Sequence, residues 1–128
     1  MALQLSAAVR NAMLDAIETT IGTSAVLKIR TGAAPASVAT ADSGTVLATL
    51  TLPSDWMAAA SSGSKAKSGT WEDASADAAG TAAHYRIYAS DGTTAHLQGT
   101  VTATGGGGDL VVDNAVFAAG QSFSITSF

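Results

Sequence analysis

Between Leu5 and Ile21 the chain reads LSAAVRNAMLDAIETTI, and Leu5, Val9, Ala12, Met13, Ala16, Ile17 and Ile21 recur three or four residues apart. That period gathers them into one stripe of an α-helix, while Arg10, Asn11, Asp15 and Glu18 fall away from it. Gly22 follows as a left-handed cap. A helix of this length is about 25 Å long, enough to cover one face of a sheet or to reach a neighbour as an arm. After Gly22 the period drops to two. In AVLKIRT (25–31) Leu27 and Ile29 share one face, and Lys28 and Arg30 the other; in VLATLTL (46–52) Val46, Ala48, Leu50 and Leu52 point inward, with Thr49 and Thr51 outward. Such alternation predicts half-buried antiparallel strands. Pro53 ends the second strand by removing a backbone donor.

The stretch HYRIYASDGTTAHLQG (84–99) carries the same alternation on both sides of an Asp-Gly. A loop of Ser90, Asp91 and Gly92 would pair Ala89 with Thr93, Ile87 with Ala95 and Tyr85 with Leu97, keeping apolar residues on one face. That register sets His96 opposite Arg86 and His84 opposite Gln98, so both histidines lie on a polar, solvent-facing side. Gly105–Gly108 closes the second strand. Short apolar pieces follow at 110–112 and 115–117, then a last strand at 122–128. Segment 58–83 holds a single large apolar residue, Trp71, and reads as a long flexible loop with a short strand around Gly69–Glu72. The pattern predicts a mainly β chain: an antiparallel β-sandwich or jelly roll of about seven or eight strands (23–128), preceded by one N-terminal amphipathic helix (1–22).

Composition changes this picture in one respect. Only 12% of the residues are charged, and Ala, Ser, Thr and Gly make up 71 of 128; a typical domain is about a quarter charged. Small uncharged side chains lose little entropy on contact, which suits close packing against neighbours. The net charge is −4, and the basic residues Arg10, Lys28, Arg30, Lys65, Lys67 and Arg86 are scattered, so nucleic acid is not an expected partner. No apolar run approaches the ~20 residues of a membrane span, and no basic region with an apolar core marks a signal peptide. The expectation is a soluble protein, made in the cytoplasm, with no membrane partner. Cysteine is absent, which removes disulfides and thiolate chemistry.

Candidate chemistry is sparse. Two strand histidines fall short of the three or four ligands of a zinc site, and their strands carry no acid. TATGGGGDL lacks the helix that a phosphate cradle needs, and reads as a turn. Glu72, Asp73 and Asp77 lack the oxygen spacing of a calcium loop. Trp56 and Trp71 suit either a sugar-stacking platform or core anchoring. With no nucleophile elbow and no paired carboxylates, the chain is not expected to be an enzyme or to hold a cofactor or metal.

The runs LSAAVRNAMLDAIETTIGTSAVLKIRTGAAP and DSGTVLATLTLPSDWMAAASSGSKAKSGTWEDASADAAGTAAHYRIYASDGTT, with the closing AAGQSFSITSF, resemble a family of small proteins encoded by tailed bacteriophages and prophages. The similarity covers nearly the whole chain and brings no catalytic motif. It implies a virion or morphogenesis context, where small sandwich proteins often serve as capsid cement or decoration. On that implication the partners are the phage major capsid protein and further copies of the chain, as a cyclic homotrimer or homodimer on the capsid surface. The contact candidates are Leu5, Val9, Met13 and Ile17 on the helix, and Trp56, Lys65, Lys67 and Trp71 in and before the long loop. A tail, head-tail connector or head-fibre component shares these features. A carbohydrate-binding β-sandwich module would instead show its two tryptophans on one rim.

Overall fold

Ser6 starts the helix in the computed structural model, which describes residues 2–128. Its backbone is extended and its hydroxyl accepts the Val9 N–H at 3.3 Å, so α1 runs from Ala7 to Ile21 and Leu5 lies just before it. At the far end Gly22 takes φ +93°, and its N–H closes on the Glu18 carbonyl at 2.8 Å. Strands follow: β1 (Val26–Arg30), β2 (Val46–Thr51), β3 (Glu72–Asp73), β4 (Gly80–Thr81), β5 (His84–Tyr88), β6 (Ala95–Ala103), β7 (Leu110–Val112), β8 (Val116–Phe117) and β9 (Phe123–Ser127).

The chain is mainly β with one leading helix, as its pattern predicts. Seven strands form one sheet in the order β2-β1-β5-β6-β7-β9-β3, and β4 pairs with β8 apart from it. The sheet is nearly closed, because the chain after β3 returns to the other edge. There the Asp77 N–H donates to the Leu47 carbonyl at 2.7 Å, and the Thr49 hydroxyl to the Asp77 carboxylate at 3.0 Å. Leu27, Ile29, Tyr85 and Ile87 point inward from β1 and β5 to meet Leu50, Trp56, Trp71, Val112 and Ile125 in one core.

One pair departs from the antiparallel expectation. β6 and β7 run parallel, with Val101 opposite Leu110, although their connection is far shorter than the dozen or more residues usual for parallel neighbours. Gly105–Gly108 makes this possible. A Cβ at Gly106 or Gly108 would lie 2.5 Å or 2.8 Å from atoms of Thr102, whose hydroxyl accepts the Gly108 N–H at 2.9 Å. The glycine run is therefore a tight reversal packed on its own strand.

The β5–β6 hairpin also differs from expectation. Ile87 faces Leu97, Arg86 faces Gln98 and His84 faces Thr100, a slide of two residues. Asp91 causes it by accepting the N–H groups of Thr93 and Thr94, both at 2.8 Å, while the Ala89 N–H reaches the Thr94 carbonyl. The loop thereby becomes longer by one residue, and a bulge between Ile87 and Tyr88 absorbs the difference.

The second face of β1 and β5 is not open to solvent. Segment 32–44 folds across it, and Asp42 is the clasp. Its carboxylate accepts from Arg30 at 2.7 Å, from Arg86 at 2.6 Å and from the Tyr88 hydroxyl at 2.9 Å. Arg86 also donates to the Ser37 and Thr40 carbonyls, and Gln98 to the Pro35 carbonyl. Arg30, His84 and Arg86 are consequently buried, which corrects the solvent-facing assignment of Arg30 and His84. Burial opposes the charge on Asp42, but hydrogen bonds from Tyr88 and Arg86 and the two guanidinium charges outweigh it and hold its carboxyl below the usual range.

A carboxyl lowered in the folded state stabilises the fold above its unfolded pKa, about 3.9, and that contribution is lost as pH falls through the folded value. Urea unfolding should therefore show lower stability at about pH 2 than at about pH 5. Asp42→Asn should cost about 1–3 kcal/mol at neutral pH, toward the lower end because the carboxylate is partly exposed. The same variant should flatten the acid dependence without abolishing it, since Asp15, Asp91 and Asp109 are also lowered. An acid profile unchanged in Asp42→Asn would show that the clasp does not carry it.

Candidate interaction surface

Asn11, Asp15 and Glu18 sit four and three residues apart, on one side of α1. This polar side faces the protein. The Asn11 side-chain oxygen accepts the Gly63 N–H at 2.8 Å, Asp15 accepts the Ala60 N–H at 2.9 Å, and Glu18 accepts the Met57 N–H at 3.0 Å. These donors belong to a strap at 56–68, folded on itself through bridges Met57–Lys67 and Ser61–Ser64. Lys65 rises from the strap into the junction. Its ammonium lies 2.8 Å from Asp15 and 3.2 Å from Glu18, and donates to the Ala58 carbonyl at 2.9 Å, with 3% of the side chain exposed.

The charges answer to this geometry. The hydrogen bond from Lys65, then that from the Ala60 N–H, holds the Asp15 carboxyl below its ordinary value. Burial works against the Lys65 ammonium, but the hydrogen bonds and charges of Asp15 and Glu18 prevail and raise its pKa. At the C-terminal end of α1 the anchor is apolar. Ile21 is buried, Ile17 packs on the core, and the Trp56 indole N–H donates to the Gly22 carbonyl at 3.0 Å.

With the polar side held inward, the apolar stripe points out. Leu5, Val9 and Met13 are 40%, 45% and 60% exposed, and Leu3 before the helix is 88% exposed. Ala12 and Ala16 lie exposed between them. An open groove of about 290 Å³ continues the stripe, between Met13, Ala16, Ile17 and Thr20 of the helix and His96 and Leu97 of β6. A smaller one of about 250 Å³ lies beside Leu5, Arg10, Met13, Leu14 and Gly63.

No family model, curated protein or solved structure matches the chain. The surface is read from its own chemistry. A stripe of aliphatic side chains can bind another apolar surface.

The structure brings Leu5, Val9 and Met13 together on this surface and leaves Ile17 half-buried at its edge. It separates the other contact candidates from it. Trp56 and Trp71 are 0% and 1% exposed, with ring centroids 5.9 Å apart, and Phe128 lies 5.2 Å from Trp71. They are core anchors, and the rim that a sugar platform needs is not formed. Lys65 is enclosed by the junction. Lys67 donates to the Gly69 carbonyl at 3.1 Å and lies 5.9 Å over the Trp71 ring. Segment 58–83, expected as a flexible loop, contributes most of the strap and supplies the short strands β3 and β4.

His84 is buried, with Nδ1 2.7 Å from the Gly32 carbonyl, whereas His96 is exposed at the groove. Asp73 accepts the Ser75 N–H, and Asp77 is engaged by Thr49. Among the described residues no three of His, Asp and Glu converge on a common point. The docking side of the helix, Asn11, Asp15 and Glu18, escaped the pattern, which reads polar positions as facing solvent.

Lys65→Met keeps the aliphatic stem and removes the ammonium. The helix should then open locally, with amide hydrogen exchange over 7–16 at least roughly tenfold faster while β5 and β6 keep their protection. Unchanged exchange in the helix would mean that the apolar anchor alone fixes it.

Proposed function

We propose that the protein is a structural component of a tailed-phage virion, a cement or decoration protein that binds the outside of the capsid and bridges neighbouring major capsid subunits. The resemblance of nearly the whole chain to small phage and prophage proteins supplies the context. The observation that carries the mode of action is the inverted helix, fastened to the body by Asn11, Asp15 and Glu18 so that Leu5, Val9 and Met13 are held out to a partner.

The mechanism is added interface. Each apolar contact is modest, but a cyclic assembly that touches several subunits gains avidity, and the gain repeats at every equivalent point of the lattice. Opening the lattice under internal pressure then requires breaking these contacts as well as those of the shell. A surface of small uncharged residues is suited to the role, since it loses little side-chain entropy on contact.

Val9→Asp and Met13→Asp alter only the exposed side of the helix and leave the strap and the core intact. Deleting residues 1–22 is a poorer test, because it also removes Ile21 and the acceptors of the strap. In purified particles of the phage that encodes the chain, quantitative mass spectrometry should find the protein in numbers comparable to the capsid subunits. Val9→Asp should lower its occupancy roughly tenfold or more while the isolated protein still unfolds cooperatively. A handful of copies per particle would assign it to the tail, connector or a head fibre. Full occupancy of Val9→Asp would show that the stripe is not the attachment surface.

A further inference from the structure

The exposed side of α1 is graded in size along its length. Val9 and Met13 lie in its N-terminal half, with Leu5 just before the helix; Ala12, Ala16 and Thr20 carry it to the C-terminal end. We propose that the occupant of this stripe is a second copy of the chain, docked with its helix antiparallel about a two-fold axis between Ala12 and Met13. The inference rests on the surface used in the proposed function and gives that reading its bridging dimer.

Pairing about this axis sets each large residue of the helix against a small one of the copy, Val9 against Ala16 and Met13 against Ala12, and brings Leu5, just before the helix, toward the Thr20 end. A parallel pairing sets Val9 on Val9 and Ala16 on Ala16, so that one end is crowded and the other gapped. The groove beside Ala16, Ile17 and Thr20, about 290 Å³ in volume, lies where the antiparallel copy delivers Leu5 and the exposed Leu3. Met13, next to the axis, lines both this groove and the one beside Leu5. Two copies thus fill each other's grooves with identical contacts, as an isologous interface requires.

Charge agrees with this arrangement. Each chain has a net charge of −4, but Asp15 and Glu18 are turned toward the strap and paired with Lys65. The stripe itself carries no charged residue, so two copies meet without burying a like-charge pair.

The chain has no cysteine, so a single introduced thiol reports geometry directly. In the antiparallel pair the two copies of residue 12 lie almost on the axis, whereas the two copies of residue 20 are about 22 Å apart along the helices. Under mild oxidation Ala12→Cys should give a covalent dimer and Thr20→Cys should not. Sedimentation of the unmodified protein should give the mass of two chains. Val9→Asp should weaken association roughly a hundredfold or more, and Ala16→Lys added to it should restore much of the loss, because position 9 of one copy faces position 16 of the other. Efficient cross-linking of Thr20→Cys would overturn the antiparallel arrangement. A one-chain mass at every concentration below the solubility limit would overturn the pairing altogether. If that monomer still loses capsid attachment on Val9→Asp, the pairing fails and the attachment reading stands. A dimer that is absent from particles would instead uphold the pairing and remove the attachment.

Discussion

The Lys65 ammonium, enclosed between Asp15 and Glu18 with 3% of its side chain exposed, fixes which way the helix faces. Rolling α1 over to bury Leu5, Val9 and Met13 would gain at most about 1.5–3 kcal/mol for each, and less here because all three are already partly covered. The same roll would expose Ile17 and Ile21 and return much of that gain. It would also part the Lys65 ammonium from Asp15 and Glu18. The N–H groups of Met57, Ala60 and Gly63 would lose their acceptors at about 1–3 kcal/mol each where water cannot replace them. Polar docking wins, and the presented apolar face follows from it.

The same economy of charge runs through the rest of the molecule. Lys28 donates to the Gly92 carbonyl and lies over the Tyr88 ring, Arg30 and Arg86 close on Asp42, Lys65 holds the helix, and Lys67 turns to Gly69 and Trp71. Most of the few basic side chains therefore point into the fold. They serve there as fasteners for two segments, 32–44 and 56–68, that are too rich in Ala, Ser and Gly to bury themselves. Acids do the same work at turns: Asp91 organises the β5–β6 loop, and Asp109 takes the Thr100 N–H and hydroxyl beside the glycine reversal. With most of its cations engaged internally, the chain carries few charges on its exterior, and most of these are acidic.

This pattern also explains what the sequence discloses and what it hides. The strands are legible because alternation survives wherever one face meets the core, and Leu27, Ile29, Leu50 and Ile125 are where it puts them. Period two is blind to a slide of two residues, which keeps every side chain on its face. The hairpin could therefore shift to Ile87–Leu97 without disturbing the alternation, and only the capping by Asp91 decides it. The burial of Arg30, His84 and Arg86 depends on a loop folding back from a distance, and local pattern carries no trace of that. The helix is equally instructive. Its stripe is plain in the sequence, but amphipathicity alone gives two faces and not which of them meets the body; Asn11, Asp15 and Glu18 are acceptors only because the strap presents N–H groups at matching intervals. The glycine run reads as a turn and is one, yet its parallel outcome rests on a close approach to Thr102.

The inverted helix matters for function because of what it saves at the moment of contact. An isolated helix of this length is marginal in water, since nucleation is unfavourable and propagation barely compensates. A free arm would have to order its backbone on binding, at about 1–2 kcal/mol for each residue fixed, and so small an apolar stripe could not offset that. Here the strap, Lys65 and the Ile17–Ile21 anchor have already ordered α1 as part of folding. Val9 and Met13 therefore meet a partner on a rigid support, and most of the burial they gain appears as affinity. Presentation on a prefolded support is the physical condition that lets a surface of so few large residues act as an adhesive.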